Sequence, residues 1–176
     1  MALKSKRKEK FELNTSINSA SNKKTDTNEK SYAIFKIGNE FYSIEVDPIF
    51  EILHDFGIVS VSHLPDFFEG LINLRGESIP VVNLRNLLNL HSDKTDFEVC
   101  IVTITDGIKT GFLVDSDIEI IKASEVNVFP LPDCFSSHER KFLDGILEYK
   151  DKLVGIIKLN DALKILTERR YKDESK

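Results

Sequence analysis

The chain has 176 residues, 41% of them hydrophobic and 30% charged, with a formal net charge of -5, which is enough apolar material for one domain or two small halves sharing an interface without staples. Residues 1–30 hold eight Lys and Arg against four Asp and Glu, leaving sixteen against twenty-five in the remainder, so an acidic body follows a basic tail. A body of that sign repels phosphate backbones and argues against nucleic acid as the main ligand.

The opening MALKSKRKEKFELN is charged throughout and has no apolar segment behind it to serve as a signal peptide, and no run elsewhere is long enough to cross a bilayer. A cytosolic protein without direct membrane insertion is expected. Residues 1–30 carry too few apolar side chains to repay the entropy of ordering them, so a disordered basic tail is predicted, with residues 167–176 as a flexible C-terminal counterpart. The cluster Lys4, Lys6, Arg7, Lys8 and Lys10 reads as a solubility tail or as a contact for an anionic surface.

From Tyr32 onward the chain is a succession of short β-like runs separated by tight turns, which favours a barrel or sandwich. Gly38-Asn39 joins YAIFKI to EFYSIEV, and these are residues that tolerate the positive φ of a hairpin loop. Asp47-Pro48 then resembles a helix N-cap with proline in the first turn, predicting a short helix over Ile49–Leu53 that ends at Gly57. Leu64-Pro65-Asp66 leads into Phe67 and Phe68, whose adjacency on an extended segment would send the two rings to opposite faces.

The most informative stretch is FFEGLINLRGESIPVVNL, residues 67–84, an apolar strand and a second apolar strand joined by a charged tip beginning at Arg75. A short helix is expected over Leu84–Asn89. Asp106-Gly107 joins VCIVTIT to IKTGFLVD in a further hairpin, and Lys150-Asp151 joins FLDGILEY to KLVGIIKL with no glycine to ease the turn. A last helix is predicted over Asn160–Leu166. Val81–Leu88 echoes Ile156–Leu163, each an apolar strand running into a short apolar helix, which suggests two similar subdomains, although apolar alternation alone produces the same likeness.

Chemistry-bearing residues are sparse. Cys100 and Cys134 form no disulfide framework and fit a reducing compartment. Only Cys134 and His138, among the cysteines and the four histidines, have a chelating spacing, and a metal site needs three or four ligands, so no metal and no cofactor are expected. No P-loop, G-x-G-x-x-G, G-x-S-x-G or H-E-x-x-H occurs, and an enzyme is not expected. Asp115 and Asp117 would share one strand face, as a solvated or turn-forming pair. Arg75 stands out because a guanidinium at a hairpin tip can pair with a carboxylate while its stem lies on apolar neighbours; Glu51 is a candidate mate, and decoration of a turn is the plain alternative.

Gly70, Asn73, Leu74, Arg75, Gly76, Pro80, Val81, Leu84 and Arg85 stand at the spacing of the CheW-family motif G-x-x-N-L-R-G-x-x-x-P-V-x-x-L-R, and Phe35–Ile44, Ile49–Leu53 and Gly111–Asp115 resemble flanking segments of that family in the same order. The resemblance covers residues 31–166. It implies a mainly β fold of two small five-stranded β-barrel subdomains (SH3-like, CheW-like) with a few short helices. It also implies a non-enzymatic chemotaxis scaffold that connects methyl-accepting chemoreceptors to the histidine kinase CheA, with other CheW-like proteins as further partners.

On that resemblance the receptor-facing residues are Val46, Ile49, Glu51, Arg75, Val114 and Asp115, beside an apolar groove between subdomains that suits a partner helix. The kinase-facing residues are Ile58, Val59, Leu64, Phe67 and Gly70. Asn83 stands where the family often has Asp, and His63 precedes Leu64 where proline is common. A small-molecule-binding β-barrel, or a CheW-like module of another signalling pathway, is the alternative.

Overall fold

The computed structural model describes residues 29–90, 97–116 and 118–160. Twelve strands run in chain order as β1 (Ser31–Ile37), β2 (Glu40–Glu45), β3 (Ile49–Leu53), β4 (Ile58–Val59), β5 (Phe68–Leu74), β6 (Glu77–Asn83), β7 (Val99–Thr105), β8 (Ile108–Val114), β9 (Glu119–Lys122), β10 (Asn127–Pro130), β11 (Leu143–Tyr149) and β12 (Lys152–Ile157). Two one-turn helices, α1 (Leu84–Leu87) and α2 (Glu139–Phe142), interrupt them.

The strands form two six-stranded sheets, β10-β11-β12-β2-β1-β9 and β3-β7-β8-β6-β5-β4. This is the mainly β, two-subdomain architecture expected, with six strands to a sheet because the short edge segments also pair. Each sheet curls: the tip of β5–β6 meets edge strand β3 through Arg75 and Glu51, and the tip of β11–β12 meets edge strand β9 through Lys150 and Glu119.

The repeat suggested by Val81–Leu88 and Ile156–Leu163 is real in the pairing registers. β1–β2 pairs as Phe35 with Tyr42, and β7–β8 pairs as Thr103 with Thr110, which is the same ladder shifted along the chain. The bulge between Phe68 and Gly70 in β5–β6 recurs between Leu143 and Gly145 in β11–β12. Strand β6 runs parallel to β8 as β12 runs parallel to β2. Thus β1–β6 and β7–β12 are equivalent halves, but each lends its first hairpin to the other half's sheet: β1–β2 sit with β9–β12, and β7–β8 with β3–β6.

Each sheet buries one face around its own cluster. Tyr32, Ile34, Ile121, Leu147, Val154 and Ile156 fill the first sheet, and Ile72, Ile79, Val81, Cys100, Val102 and Leu113 the second. The largest cluster joins the opposite faces of the two sheets and includes Phe35, Ile44, Val82, Leu84, Ile101, Phe112 and Phe142. Alternating apolar side chains on both faces of β1, β7 and β8 explain why five of the seven residues in each are buried.

One predicted element is corrected. Ile49–Leu53 is strand β3, paired antiparallel with β7, not a helix. Ile-Phe-Glu-Ile-Leu is rich in β-branched and aromatic residues, and a five-residue helix makes too few hydrogen bonds to offset its nucleation, whereas a preformed β7 edge offers a full ladder. The Leu84–Asn89 helix is present in shorter form as α1, capped by the Asn83 side chain, which accepts from the Arg85 and Asn86 amides at 2.9 and 3.3 Å. The helix predicted over residues 160–166 lies almost entirely outside the described residues, as do both predicted tails apart from residues 29 and 30.

The hairpin turns fall where expected. Gly38, Asp106 and Gly107 adopt positive φ, and so do Lys150 (φ 48°) and Asp151 (φ 61°), where neither residue is glycine. Phe67 and Phe68 do not diverge: their ring centroids are 5.1 Å apart and both pack against the largest cluster, because the strand begins only at Phe68.

Candidate functional site

The β5–β6 hairpin turns through two residues, Arg75 at φ 54° and Gly76 at φ 88°, and the Asn73 side chain accepts the Gly76 amide at 3.0 Å. This fixes the tip and aims the guanidinium at β3. One terminal nitrogen of Arg75 donates to both carboxylate oxygens of Glu51, at 3.2 and 3.1 Å. The Arg75 side chain is 74% exposed against 27% for Glu51, so the pair adds only about 0–1 kcal/mol to stability and leaves the cation available to a partner. Beside it, Lys109 pairs with Glu77 and sits over the Phe50 ring, 4.8 Å from its centroid.

The other residues assigned to the receptor side divide by depth. Val46 and Ile49 are partly buried at the rim of the largest cluster. Val114 and Asp115 lie within the protein, at 0 and 2% exposure. The expectation that Asp115 is solvated or turn-forming is corrected: its carboxylate receives Arg85 at 2.9 and 2.5 Å and the Gly38 amide at 2.6 Å. Asp117 is outside the described residues.

The residues assigned to the kinase side gather on the β4–β5 edge. Ile58 and Val59 pair with Ile72 and Leu71, and the Val59 side chain points outward at 65% exposure. Leu64 and Phe67 are half-buried in the approach to β5. Gly70 offers no surface of its own. It is buried at φ 145°, and a Cβ there would meet the Val59 carbonyl oxygen at 2.3 Å, so glycine is what lets β4 close on β5.

Sequence reasoning missed Arg85 as a structural centre. It is 6% exposed, its guanidinium stacks 4.2 Å from the Phe97 ring centroid, and through Asp115 it ties α1 to the β1–β2 turn of the other sheet. Its motif position flagged the residue, but its partner is 30 positions away and only the fold brings them together. His138, weighed as a metal ligand with Cys134, lies 3.1 Å from the Leu87 carbonyl oxygen and edge-on to Phe142. Among the described residues no three His, Cys, Asp or Glu side chains gather in a metal-binding group. Burial pushes the Cys100 thiol up to about 12, which leaves it a protonated core side chain.

Two curled sheets present two surface patches, one at the Arg75–Glu51 tip and one on the β4–β5 edge. The CheW-like domain model matches residues 31–167. The chain is 32% identical over 149 residues to the chemotaxis protein CheW of Helicobacter pylori, covering 83% of this chain and 89% of that one. It is 35% identical to the Thermotoga maritima CheW, covering 76% and 87%. In three dimensions it resembles the scaffolding protein TtCheW from Thermoanaerobacter tengcongensis, with a TM-score of 0.64, 28% identity and coverage of 74% and 89%. The chain therefore belongs to the CheW-like family, whose members are non-enzymatic scaffolds of chemotaxis, and this sets the small-molecule barrel aside. No helix among the described residues is long and apolar enough to cross a membrane.

Proposed function

We propose that the protein couples methyl-accepting chemoreceptors to the histidine kinase CheA within cytoplasmic signalling arrays. The observation that carries this reading is the Arg75–Glu51 pair, an exposed cation held in fixed geometry at a hairpin tip, in the motif that resembles the receptor-facing one of the family. Glu51 orients the guanidinium, and Val46 and Ile49 supply apolar contact at the rim for a partner helix. Val114 and Asp115 serve this surface from beneath, Asp115 by fixing Arg85 and the β1–β2 turn. The kinase docks on the other patch, where Val59 and Ile58 lead, Leu64 and Phe67 flank them, and Gly70 shapes the edge. Each contact is weak alone, and the array gains stability from many at once.

Arg75→Glu places two carboxylates together and should abolish capture of a receptor signalling fragment while leaving the circular dichroism spectrum and the melting temperature within a degree or two, since the pair contributes so little to folding. Capture at unchanged levels by the variant would refute the receptor assignment. Co-purification with CheA, lost in Val59→Glu and kept in Arg75→Glu, tests the second surface independently.

A further inference from the structure

The two sheets meet at two equivalent junctions, and only one of them is locked. By the hairpin registers Asp115, after β8, corresponds to Asp47, after β2, and Gly38 corresponds to Asp106. The parallel strand pairs place Arg85 after β6 where Asn160 stands after β12. At the first junction the Asp115 amide donates to the Lys36 carbonyl at 2.9 Å and the Lys36 amide to the Ser116 hydroxyl at 2.9 Å. The Gly38 amide reaches the Asp115 carboxylate at 2.6 Å, and Arg85 closes the assembly with Nε 2.9 Å from that carboxylate and its guanidinium on the Phe97 ring.

At the second junction the Ile104 amide donates to the Pro48 carbonyl at 2.8 Å, but the side-chain lock is missing. Asp47, Asp106 and Asn160 are exposed, and among the described residues none of the three has a side-chain hydrogen bond or an ion pair. The stretch between β2 and β3 is fixed on either side. Before it, the Val46 amide donates to the Ser31 carbonyl at 2.9 Å. After it, a bulge between Ile49 and Glu51 interrupts the β3–β7 ladder; there Phe50 lies under Lys109, and Glu51 holds Arg75.

We infer that Asp47–Ile49 is a strap that opens locally while the Arg85–Asp115 junction stays shut, and that its opening uncovers the rim of the largest apolar cluster to a side chain of the partner helix. This rests on the receptor-facing groove proposed above. A backbone hydrogen bond at an exposed edge breaks at low cost because water replaces it, whereas a buried charge-assisted bond has no such substitute. Ile49, half-buried against the largest cluster, is the side chain that lifts. Arg75 does not move with it, because Glu51 lies past the bulge. A helix that binds only the open strap shifts the population toward that state.

Amide hydrogen exchange of the full chain, read by NMR and corrected for intrinsic rates, measures the opening. Ile104 should exchange about tenfold faster than Gly38 and Asp115, or more. Asp106→Gly with Asn160→Arg builds the missing lock around Asp47; it should slow Ile104 exchange by about tenfold and weaken capture of a receptor signalling fragment by a similar factor. Adding Asp47→Ala removes the carboxylate that this lock needs and should restore both values, a reversal that misfolding cannot produce. Equal protection of the three amides, or unchanged Ile104 exchange in the locked variant, would overturn the strap. Slowed exchange with capture at the wild-type level would overturn its link to binding. If the wild type itself captures no receptor fragment, the receptor reading fails, and the exchange comparison still decides the strap.

Discussion

At the residue scale, Asn83 shows how a departure from the family pattern is accommodated. Its oxygen caps α1 while its amide nitrogen donates to Glu69 at 3.0 Å, a division of labour that a carboxylate cannot match. Asp caps a helix as well as Asn does, but Asn83→Asp would exchange that donor for a second negative charge beside Glu69. A loss of about 1 kcal/mol is expected at neutral pH. The sign of the pH dependence follows: repulsion depresses stability only while both groups are charged, so the deficit against the wild type should be smaller in acid than at neutral pH. Urea unfolding at pH 7 and pH 4 measures it, and an equal deficit at both would contradict the charge explanation.

Asp151 marks stored backbone cost. It adopts φ 61° immediately after Lys150 at φ 48°, where the equivalent hairpin has Gly76 as its second turn residue. Replacing Asp151 by Gly relieves a left-handed conformation worth roughly 1 kcal/mol in an L-residue, and chemical denaturation should show a gain of that order. The Lys150–Glu119 pair is expected to persist, because the turn keeps its shape.

Among the elements, the swapped hairpins and the Arg85–Asp115 pair decide how the sheets are held. Asp115 follows β8 in the second sheet, yet it accepts the Gly38 amide from the β1–β2 turn of the first, and Arg85 is the second residue of α1, the helix that follows β6. Removing one partner of a buried pair leaves an uncompensated charge. Arg85→Met should therefore cost about 3–5 kcal/mol, while the double variant with Asp115→Leu should recover much of it. Equilibrium unfolding of the four proteins of the cycle checks this, and a double variant no more stable than Arg85→Met would show that the pair is not the cause. The β3 strand belongs to the same scale. Asp47-Pro48 spoke for a helix, and the open edge of β7 overrode it.

For the whole molecule, the exchange of first hairpins makes the two sheets interdependent, since neither half of the chain contains all the strands of either sheet. A fragment ending at residue 90 would hold β1–β2 without β9–β12 and β3–β6 without β7–β8. Such fragments should remain unfolded alone, and the intact chain should melt in one transition with calorimetric and van 't Hoff enthalpies equal. Two resolved transitions would mean that the sheets fold separately. The same interlock suits a coupling protein, because a displacement at one surface is carried to the other through one packed body.

By itself the sequence determined the four long hairpins and their turns, the family, and the prominence of Arg75, because alternation, turn chemistry and motif spacing are local properties of the chain. The repeat was visible only as a faint echo at Val81–Leu88 and Ile156–Leu163. The tertiary structure alone decided that Ile49–Leu53 extends, that Asp115 is buried against Arg85, and that Lys150 and Glu119 mirror Arg75 and Glu51. Each of these depends on which distant segments become neighbours, and pairing across dozens of residues leaves no periodic trace along the chain.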